Sequence, residues 1–282
     1  VMIEQAFRRL PARTEPVRRD RTWVEREYGD EKWPAIGELL DRQLAGDPSA
    51  TLHRALFSVE RAEWRASLPW PGRSSVEIGS SVGAARSVVL ERVLELADGA
   101  DLVVELGSGW GRNILTSWVV GGPPSALYCG AELTRAGRTV AARLAGLEPR
   151  LRFRSLPFDF TDPDLAPLGR HRRAIVFSRH GIEQVSTIDE RPFLAAAELA
   201  DHVVGVHLEP VGWQEGLGPD PDAAGRYAER HDYNRNLLAV LRRLDSAGVI
   251  RLGEPAVPDV RWPEALSAGC LVTWETPGLS SA

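Results

Sequence analysis

The chain has 282 residues, of which 43% are hydrophobic and 26% charged, so it can form one large α/β domain with an added segment or two small domains. Its formal net charge of −5 argues against a general nucleic-acid binder, and its two cysteines are too few for a three-cysteine iron–sulfur motif. Because no run approaches the roughly 20 apolar residues of a membrane span, and the arginine-rich N-terminus has no apolar signal core, we expect a cytoplasmic protein without a membrane partner.

The first 98 residues show helical patterns rather than strands. Residues 1–22 are rich in arginine and proline, which predicts an extended or partly ordered arm. Helices are predicted over residues 35–45, 49–67 and 84–97. The pattern changes near residue 98 and divides the chain into an N-terminal helical segment, residues 1–98, and a second domain, residues 99–282.

Short apolar runs alternate with helical patterns in the second domain. Strands are predicted over residues 102–106, 126–131, 151–156, 173–177, 202–208, 249–252 and 271–274. Helices are predicted over residues 112–119, 135–145, 192–200 and 223–247, the last either continuous or with a break. This alternation is typical of a Rossmann-like, doubly wound α/β fold with a mostly parallel sheet, here of seven strands. No helix separates the last two strands, which predicts an antiparallel C-terminal hairpin.

A glycine-rich loop, Glu105-Leu-Gly107-Ser-Gly109-Trp-Gly111, follows the first predicted strand and opens a helix. Glycine is required where the backbone turns sharply and approaches a ligand closely. A dinucleotide fingerprint would need another glycine at position 112, where Arg112 stands. The Gly-Lys-Ser/Thr ending of an ATP-binding loop is also missing. The loop therefore fits neither NAD nor ATP.

The run Val-Glu-Leu-Gly-Ser-Gly-Trp-Gly resembles motif I of class I S-adenosylmethionine-dependent methyltransferases of the small-molecule, natural-product type. In that family the loop cradles the methionine part of the cofactor, and an acid after the second strand holds the ribose hydroxyls, which points to Glu132. A later motif faces the adenine, and Asp159 and Phe160 stand in that place. For Asp159 a turn or cap role is a nearly equal alternative.

The resemblance covers roughly residues 100–275, with the motifs in the order of the family. It implies S-adenosylmethionine as cofactor, with contacts at Glu105, Gly107, Gly109, Gly111, Glu132, Asp159, Phe160 and Ser178. A nucleotide-binding domain without catalysis remains the alternative. No acidic set resembles a magnesium site, so we expect no metal.

Candidate catalytic residues follow the fourth and fifth predicted strands, whose carboxyl ends meet at one edge of the sheet. His180 is a possible general base near neutral pH, or else a loop histidine bound to the backbone. Glu183 and Glu209 together would suit a cationic acceptor, or else pair with arginines. Tyr233 completes the catalytic set.

Candidate substrate-binding residues come from three places. Trp23, Tyr28 and Trp33 form either an aromatic wall or a small satellite core. His207 alternates with Glu209 on the fifth strand, or else is merely buried within the sheet. Asn236 lies one helical turn from Tyr233, where the alternative is a capped, solvated helix start. Family analogy makes the N-terminal helices a lid over the pocket and a dimerisation element, so a homodimer is expected.

These residues favour N-methylation of a small cationic amine or guanidine, for example arginine, in natural-product biosynthesis. The first alternative is O-methylation of a sugar or polyketide hydroxyl with His180 as base. The second is a protein that binds S-adenosylmethionine without methylating. The expected partner is a small-molecule acceptor and no nucleic acid.

Overall fold

The computed structural model describes residues 18–66, 75–259 and 269–277. Most of the predicted arm, residues 1–17, lies outside this part of the chain. Its last two residues, Arg21 and Thr22, are not extended but begin a helix, because the carboxylate of Asp20 accepts a hydrogen bond from the Trp23 N–H and caps the first turn.

Four helices precede the sheet in the part of the chain that the structure describes. They are α1 (Arg21–Val24), α2 (Trp33–Gly46), α3 (Leu52–Ala66) and α4 (Ser75–Leu96). A π-helical stretch, Glu25–Lys32, joins α1 to α2 without a break. π-Helical turns are rare and occur often at functional sites. None of the described helices is long and apolar enough to cross a membrane.

The second half of the chain builds a seven-stranded sheet with helices on both faces. Its strands are β1 (Leu102–Leu106), β2 (Leu127–Glu132), β3 (Phe153–Pro157), β4 (His171–Arg179), β5 (Ala200–Glu209), β6 (Arg251–Leu252) and β7 (Cys270–Glu275). Its helices are α5 (Arg112–Val119), α6 (Arg135–Ala145), α7 (Arg191–Ala197), α8 (Pro221–Arg230) and α9 (Leu237–Ser246).

The strand order is β3-β2-β1-β4-β5-β7-β6, and β7 runs antiparallel to the strands on either side of it, β5 and β6. The doubly wound sheet and the antiparallel hairpin are confirmed. The order reverses between β1 and β4, which pair directly. Loops that leave neighbouring strands at such a reversal diverge to opposite faces and open a crevice, so this geometry predicts a ligand site after β1 and β4.

One predicted helix, residues 223–247, is two helices. The break follows from local hydrogen bonds: the side-chain oxygen of Asn234 accepts from the N–H groups of Asn236 and Leu237 and so starts α9. Asp232 has a positive φ of 53°, which no α-helix interior allows.

Two apolar cores lie on the two faces of the sheet. One contains Val104, Val176 and residues of α7 and α9. The other contains Val103 and Phe177 together with buried residues of the N-terminal helices, among them Ile36, Leu56 and Val89. The N-terminal helices therefore share a core with the sheet, which fixes them beside the carboxyl ends of its strands.

Candidate active site

A cleft of about 550 Å³ lies where the loops after β1, β2, β3 and β4 meet the N-terminal helices. This volume is in the range of small-molecule sites. Nine predicted site residues line it: Tyr28, Trp33, Gly107, Gly109, Glu132, Asp159, Phe160, His180 and Glu183. Its lining does not include the other eight: Trp23, Glu105, Gly111, Ser178, His207, Glu209, Tyr233 and Asn236.

The glycine loop has the conformation that its sequence requires. Gly107, Gly109 and Gly111 have φ values of 70°, 55° and 84°, a region that side chains other than glycine rarely occupy. A Cβ on Gly109 would also lie 2.9 Å from the ring of Trp33. The loop is thus shaped by its own backbone and covered by an aromatic residue of α2.

Glu105 lies behind the glycine loop and not in the cleft. Its carboxylate accepts hydrogen bonds from Asn113 Nδ2 at 2.6 Å and from the N–H of Ile114 at 2.9 Å. Burial raises the pKa of Glu105 to about 7, although both donors favour its charged form. The expected cofactor contact at Glu105 is therefore corrected to a role in joining the loop to the start of α5.

Glu132 closes β2 and lines the cleft as the resemblance implies. Its Oε2 accepts the N–H of Gly109 at 3.0 Å, and its Oε1 accepts the N–H and hydroxyl of Thr134. These donors fix the carboxylate against the glycine loop. Carboxylate oxygens have further lone pairs, so the group can still accept bonds from a diol.

The loop after β3 contributes aromatic side chains to the cleft. Phe158 and Phe160 pack edge to face with ring centroids 5.0 Å apart. Asp159 accepts the N–H and hydroxyl of Thr161 and forms an ion pair with Arg21 of α1 at 3.1 Å. Asp159 therefore has the turn role that was its alternative, and it also holds the N-terminal segment.

The loop after β4 places two polar side chains together. Nδ1 of His180 lies 2.9 Å from Oε2 of Glu183, and both residues line the cleft. His180 has a positive φ of 54°, which costs of order 1–3 kcal/mol for a residue other than glycine. Strain of this kind is typical of functional sites. The second oxygen of Glu183 accepts from Gln184 Nε2 at 2.8 Å.

Glu209 shapes this loop from beneath. Its carboxylate accepts the N–H groups of Gly181, Ile182 and Glu183 and the hydroxyl of Ser178. The side chain is fully buried, and burial raises its pKa to about 7. The expectation that Glu183 and Glu209 face one pocket is not met, because the loop amides occupy the Glu209 oxygens.

A buried chain of hydrogen bonds continues behind Glu209. Trp274 Nε1 donates to His207 Nε2 at 2.9 Å, and His207 Nδ1 lies 3.0 Å from Ser178 Oγ. Ser178 Oγ in turn donates to Glu209 at 2.7 Å. Burial lowers the pKa of His207 to about 3, so the imidazole is neutral. The expected ligand contacts of Ser178 and His207 are corrected to this support of the loop.

Arg19 connects the N-terminal segment to the loop after β4. Its N–H donates to Asp232 Oδ2 at 2.8 Å, its Nε donates to the His231 carbonyl, and its guanidinium bonds to Gln184. The guanidinium also lies over the rings of Trp23 and Tyr233, at 4.2 and 4.7 Å from their centroids. Trp23 and Tyr233 therefore contact Arg19 and not the cleft.

Three further predicted residues differ in their surroundings. Tyr28 and Trp33 line the cleft with ring centroids 5.3 Å apart, and Trp33 also packs against the apolar core that the N-terminal helices share with the sheet. Asn236 exchanges two hydrogen bonds with the backbone of Ile188, which occupies its amide away from the cleft.

The sequence reasoning did not assign a site role to Arg19, Arg112 or Arg179, all of which line the cleft. For Arg179 a signal was present, because a charged residue ends a strand that is otherwise apolar over Ala174–Phe177. The contacts of Arg19 span more than 160 residues of sequence and leave no local pattern.

Unpartnered polar atoms surround the glycine loop. Within the described ranges, Ser108 Oγ, Asn113 Oδ1 and Trp33 Nε1 are buried without a hydrogen-bond partner, and all three residues line the cleft. Buried polar groups normally have partners, so these atoms fit a polar ligand on the loop. No group of three or more histidine, cysteine or carboxylate side chains in that part of the chain is placed to hold a metal ion.

The fold is similar to that of several solved methyltransferases. Geranyl diphosphate C-methyltransferase from Streptomyces coelicolor A3(2) matches with a TM-score of 0.51 and 14% identity, over 76% of this chain and 87% of that chain. Magnesium protoporphyrin IX methyltransferase from Synechocystis PCC 6803 matches with a TM-score of 0.47 and 14% identity, over 78% and 94%.

The CcbJ methyltransferase from Streptomyces caelestis matches with a TM-score of 0.45 and 18% identity, over 73% of this chain and 92% of that chain. No protein-family model and no curated protein sequence matches the chain. At these identities the likeness shows the fold.

Proposed function

We propose that the protein is an S-adenosylmethionine-dependent methyltransferase that acts on a small molecule. The observation that carries the proposal is that the glycine loop, Glu132 and the His180–Glu183 pair line one and the same cleft. The first two elements suit a nucleoside-type methyl donor, and the pair suits the removal of a proton from an acceptor.

Different residues of the cleft would bind different parts of the cofactor. Glu132 accepts hydrogen bonds from the ribose hydroxyls, and Phe158 and Phe160 pack against the adenine. The free Oδ1 of Asn113 is an acceptor for the ammonium of the methionine part. When bound, S-adenosylmethionine supplies an electrophilic methyl group on a sulfonium.

The acceptor residues act on a proton. Donation of the His180 Nδ1–H to Glu183 leaves Nε2 with a free lone pair, which takes a proton from a hydroxyl as it is methylated. The carboxylate of Glu183 orients the imidazole and stabilises its charged form. Oxygen methylation with His180 as the base is therefore the reaction that the geometry supports best.

Nitrogen methylation of an amine or guanidine is the second candidate. Glu183 lines the cleft and offers a carboxylate to a cation, which supports it. The absence of Glu209 from the lining removes the second carboxylate on which a cationic acceptor depended.

Transfer of a labelled methyl group from S-adenosylmethionine to a panel of hydroxyl compounds, amines and guanidines tests the proposal. We expect label in hydroxyl compounds, with one S-adenosylhomocysteine formed for each methyl transferred. Label in amines alone would contradict oxygen methylation. Turnover of the donor without S-adenosylhomocysteine would contradict methylation altogether.

Three further expectations belong to this proposal. The reaction serves natural-product biosynthesis, the protein works in the cytoplasm, and two copies pair through the N-terminal helices. Sedimentation of the purified chain as a monomer at micromolar concentration would contradict the homodimer.

A further inference from the structure

Three arginines from three different elements lie close enough for their charges to act on one another, and two of them, Arg112 and Arg179, line the cleft. Arg86 comes from α4, Arg112 begins α5, and Arg179 ends β4. Their charges act on one another: burial lowers the pKa of Arg179 to about 9, with further lowering by Arg112 and Arg86. Burial also lowers the pKa of Arg86 to about 10, and Arg112 adds to this effect.

Two of the three arginines lie next to a carboxylate, and the third does not form an ion pair. Arg86 forms an ion pair with Glu60, and Arg112 lies 3.4 Å from Glu63. The side chain of Arg179 forms no ion pair and no hydrogen bond with any residue that the structure describes, and its Nε is buried without a partner. The carboxylates of Glu105 and Glu183 raise the pKa of Arg179 but form no ion pair with it, so a bound anion would supply the partner that the guanidinium lacks.

The form of the site indicates which anion fits. Arg112 and Arg179 both line the cleft, whereas Arg86 is not among its lining residues. A guanidinium presents paired donors that match the two oxygens of a carboxylate or phosphate. The fixed repulsion between the arginines would be relieved by one such group placed between them.

The charges of the methyl donor indicate that this anion belongs to the acceptor. The amino-acid end of S-adenosylmethionine carries one ammonium and one carboxylate, and its sulfonium adds a positive charge. A neutral or cationic acceptor would bring no negative charge to a cleft that would hold the sulfonium and is lined by Arg112 and Arg179. An acceptor with an acidic group offsets them, and His180, next to Arg179 in the chain, would then face its hydroxyl.

We propose that Arg112 and Arg179 bind an anionic group of the acceptor, so that the substrate is a hydroxy acid or a phosphorylated hydroxyl compound. This inference rests on the proposed function. The expected acceptor is therefore anionic, unlike the cationic amines and guanidines that the sequence favours.

The test uses the full chain saturated with S-adenosylhomocysteine and probes of defined charge. Inorganic phosphate serves as a probe without shape requirements, and a panel of hydroxybenzoates is compared with the matched hydroxybenzamides. The variants are Arg179→Gln, Arg179→Lys and, as a control with the same charge change, Arg170→Gln, whose ion pair with Asp201 lies on the surface.

We expect phosphate to raise the melting temperature of the wild type and of Arg170→Gln but not of Arg179→Gln. The best hydroxybenzoate should bind at least about tenfold more tightly than its amide, a difference of roughly 1.4 kcal/mol. Arg179→Lys keeps the charge and should keep part of this preference, which preserves the test if Arg179→Gln does not fold. Loss of a charge that has no partner should leave Arg179→Gln at least as heat-stable as the wild type.

Two results would overturn the inference: equal binding of acids and amides by the wild type, or an equal phosphate response in Arg179→Gln. A tenfold loss of S-adenosylhomocysteine affinity in Arg179→Gln would also overturn it, because the site would then hold the carboxylate of the donor. Failure of the wild type to bind S-adenosylhomocysteine would instead overturn the proposed function.

Discussion

Nδ1 of His180 lies 2.9 Å from Oε2 of Glu183, on a loop whose backbone amides converge on the buried carboxylate of Glu209. The loop holds His180 at a φ of 54°, a conformation that an unsupported histidine would leave. The pair therefore has a fixed geometry before any ligand binds, which is what a general base requires.

Replacement of His180 tests its role as the base. His180→Gln should lower kcat for a hydroxyl acceptor by about 10² to 10⁴-fold, because proton removal in the transition state is lost. The affinity for S-adenosylhomocysteine should not change. Steady-state kinetics and calorimetry of the same preparation measure both quantities. His53→Gln, on the exposed face of α3, is the matched control.

A parallel loss of cofactor affinity and kcat in His180→Gln would show that the loop, and not the proton transfer, was damaged. A kcat within twofold of the wild type would remove His180 from the mechanism.

Glu132 should determine cofactor affinity. Glu132→Gln replaces one acceptor oxygen by a donor and removes the charge, which costs about 1.5–3 kcal/mol for a hydrogen bond to a charged group. We expect S-adenosylhomocysteine to bind roughly 10- to 150-fold more weakly, as measured by calorimetry. Glu148→Gln makes the same chemical change at a surface ion pair with Arg150 and should not alter binding. An unchanged affinity in Glu132→Gln would contradict the ribose contact.

Gly109 is required for two separable reasons, its positive φ and its contact with Trp33. Gly109→Ala should lower the free energy of unfolding by about 1–2 kcal/mol from backbone strain, and further because the new Cβ meets the ring at 2.9 Å. Gly99→Ala isolates the strain, since Gly99 has a φ of 67° with nothing within 4 Å. Urea denaturation of both variants measures the difference. Equal losses in the two variants would contradict close packing of Trp33 on the loop.

His207 should make stability depend on pH. Burial lowers its pKa from the ordinary 6.5 to about 3, so below pH 6.5 the unfolded chain takes up a proton that the folded protein does not. This contribution to stability is lost as the pH falls from 6.5 toward 3, at about 1.4 kcal/mol per pH unit. Glu105 and Glu209 act in the opposite direction, because their raised pKa values favour folding as the pH falls from 7 to 4.5.

The variant His207→Gln separates these opposing effects. It does not titrate, and its amide can still bond to Trp274 and Ser178. The free energy of unfolding of the wild type minus that of the variant should therefore decrease between pH 6.5 and 4.5, as followed by urea denaturation. A difference that is constant over this range would contradict a neutral, buried His207.

The sequence predicts the elements around the glycine loop well because they depend on local backbone geometry. β1, α5 and α6 begin and end at the predicted residues, since a buried apolar run, glycines of positive φ and the Thr134 cap define them locally. The glycine loop and Glu132 follow from the same local pattern.

The part of the cleft around the loop after β4 could not be predicted in the same way. Glu209 follows an apolar strand, and the sequence does not say whether its carboxylate turns to the cleft or to the amides of a loop about 26 residues earlier in the chain. The unpaired charge of Arg179 depends on where Arg112, Glu63 and the N-terminal helices lie. Contacts between distant parts of a chain leave no periodic pattern from which they could be inferred.

We expect the cleft to bind a nucleoside methyl donor between the glycine loop and Glu132. Isothermal titration of the full chain with S-adenosylhomocysteine tests it most directly. We predict one binding site per chain with a Kd below about 100 μM, equivalent to roughly −5.5 kcal/mol. The absence of detectable heat up to millimolar concentrations would contradict binding of the donor in this cleft.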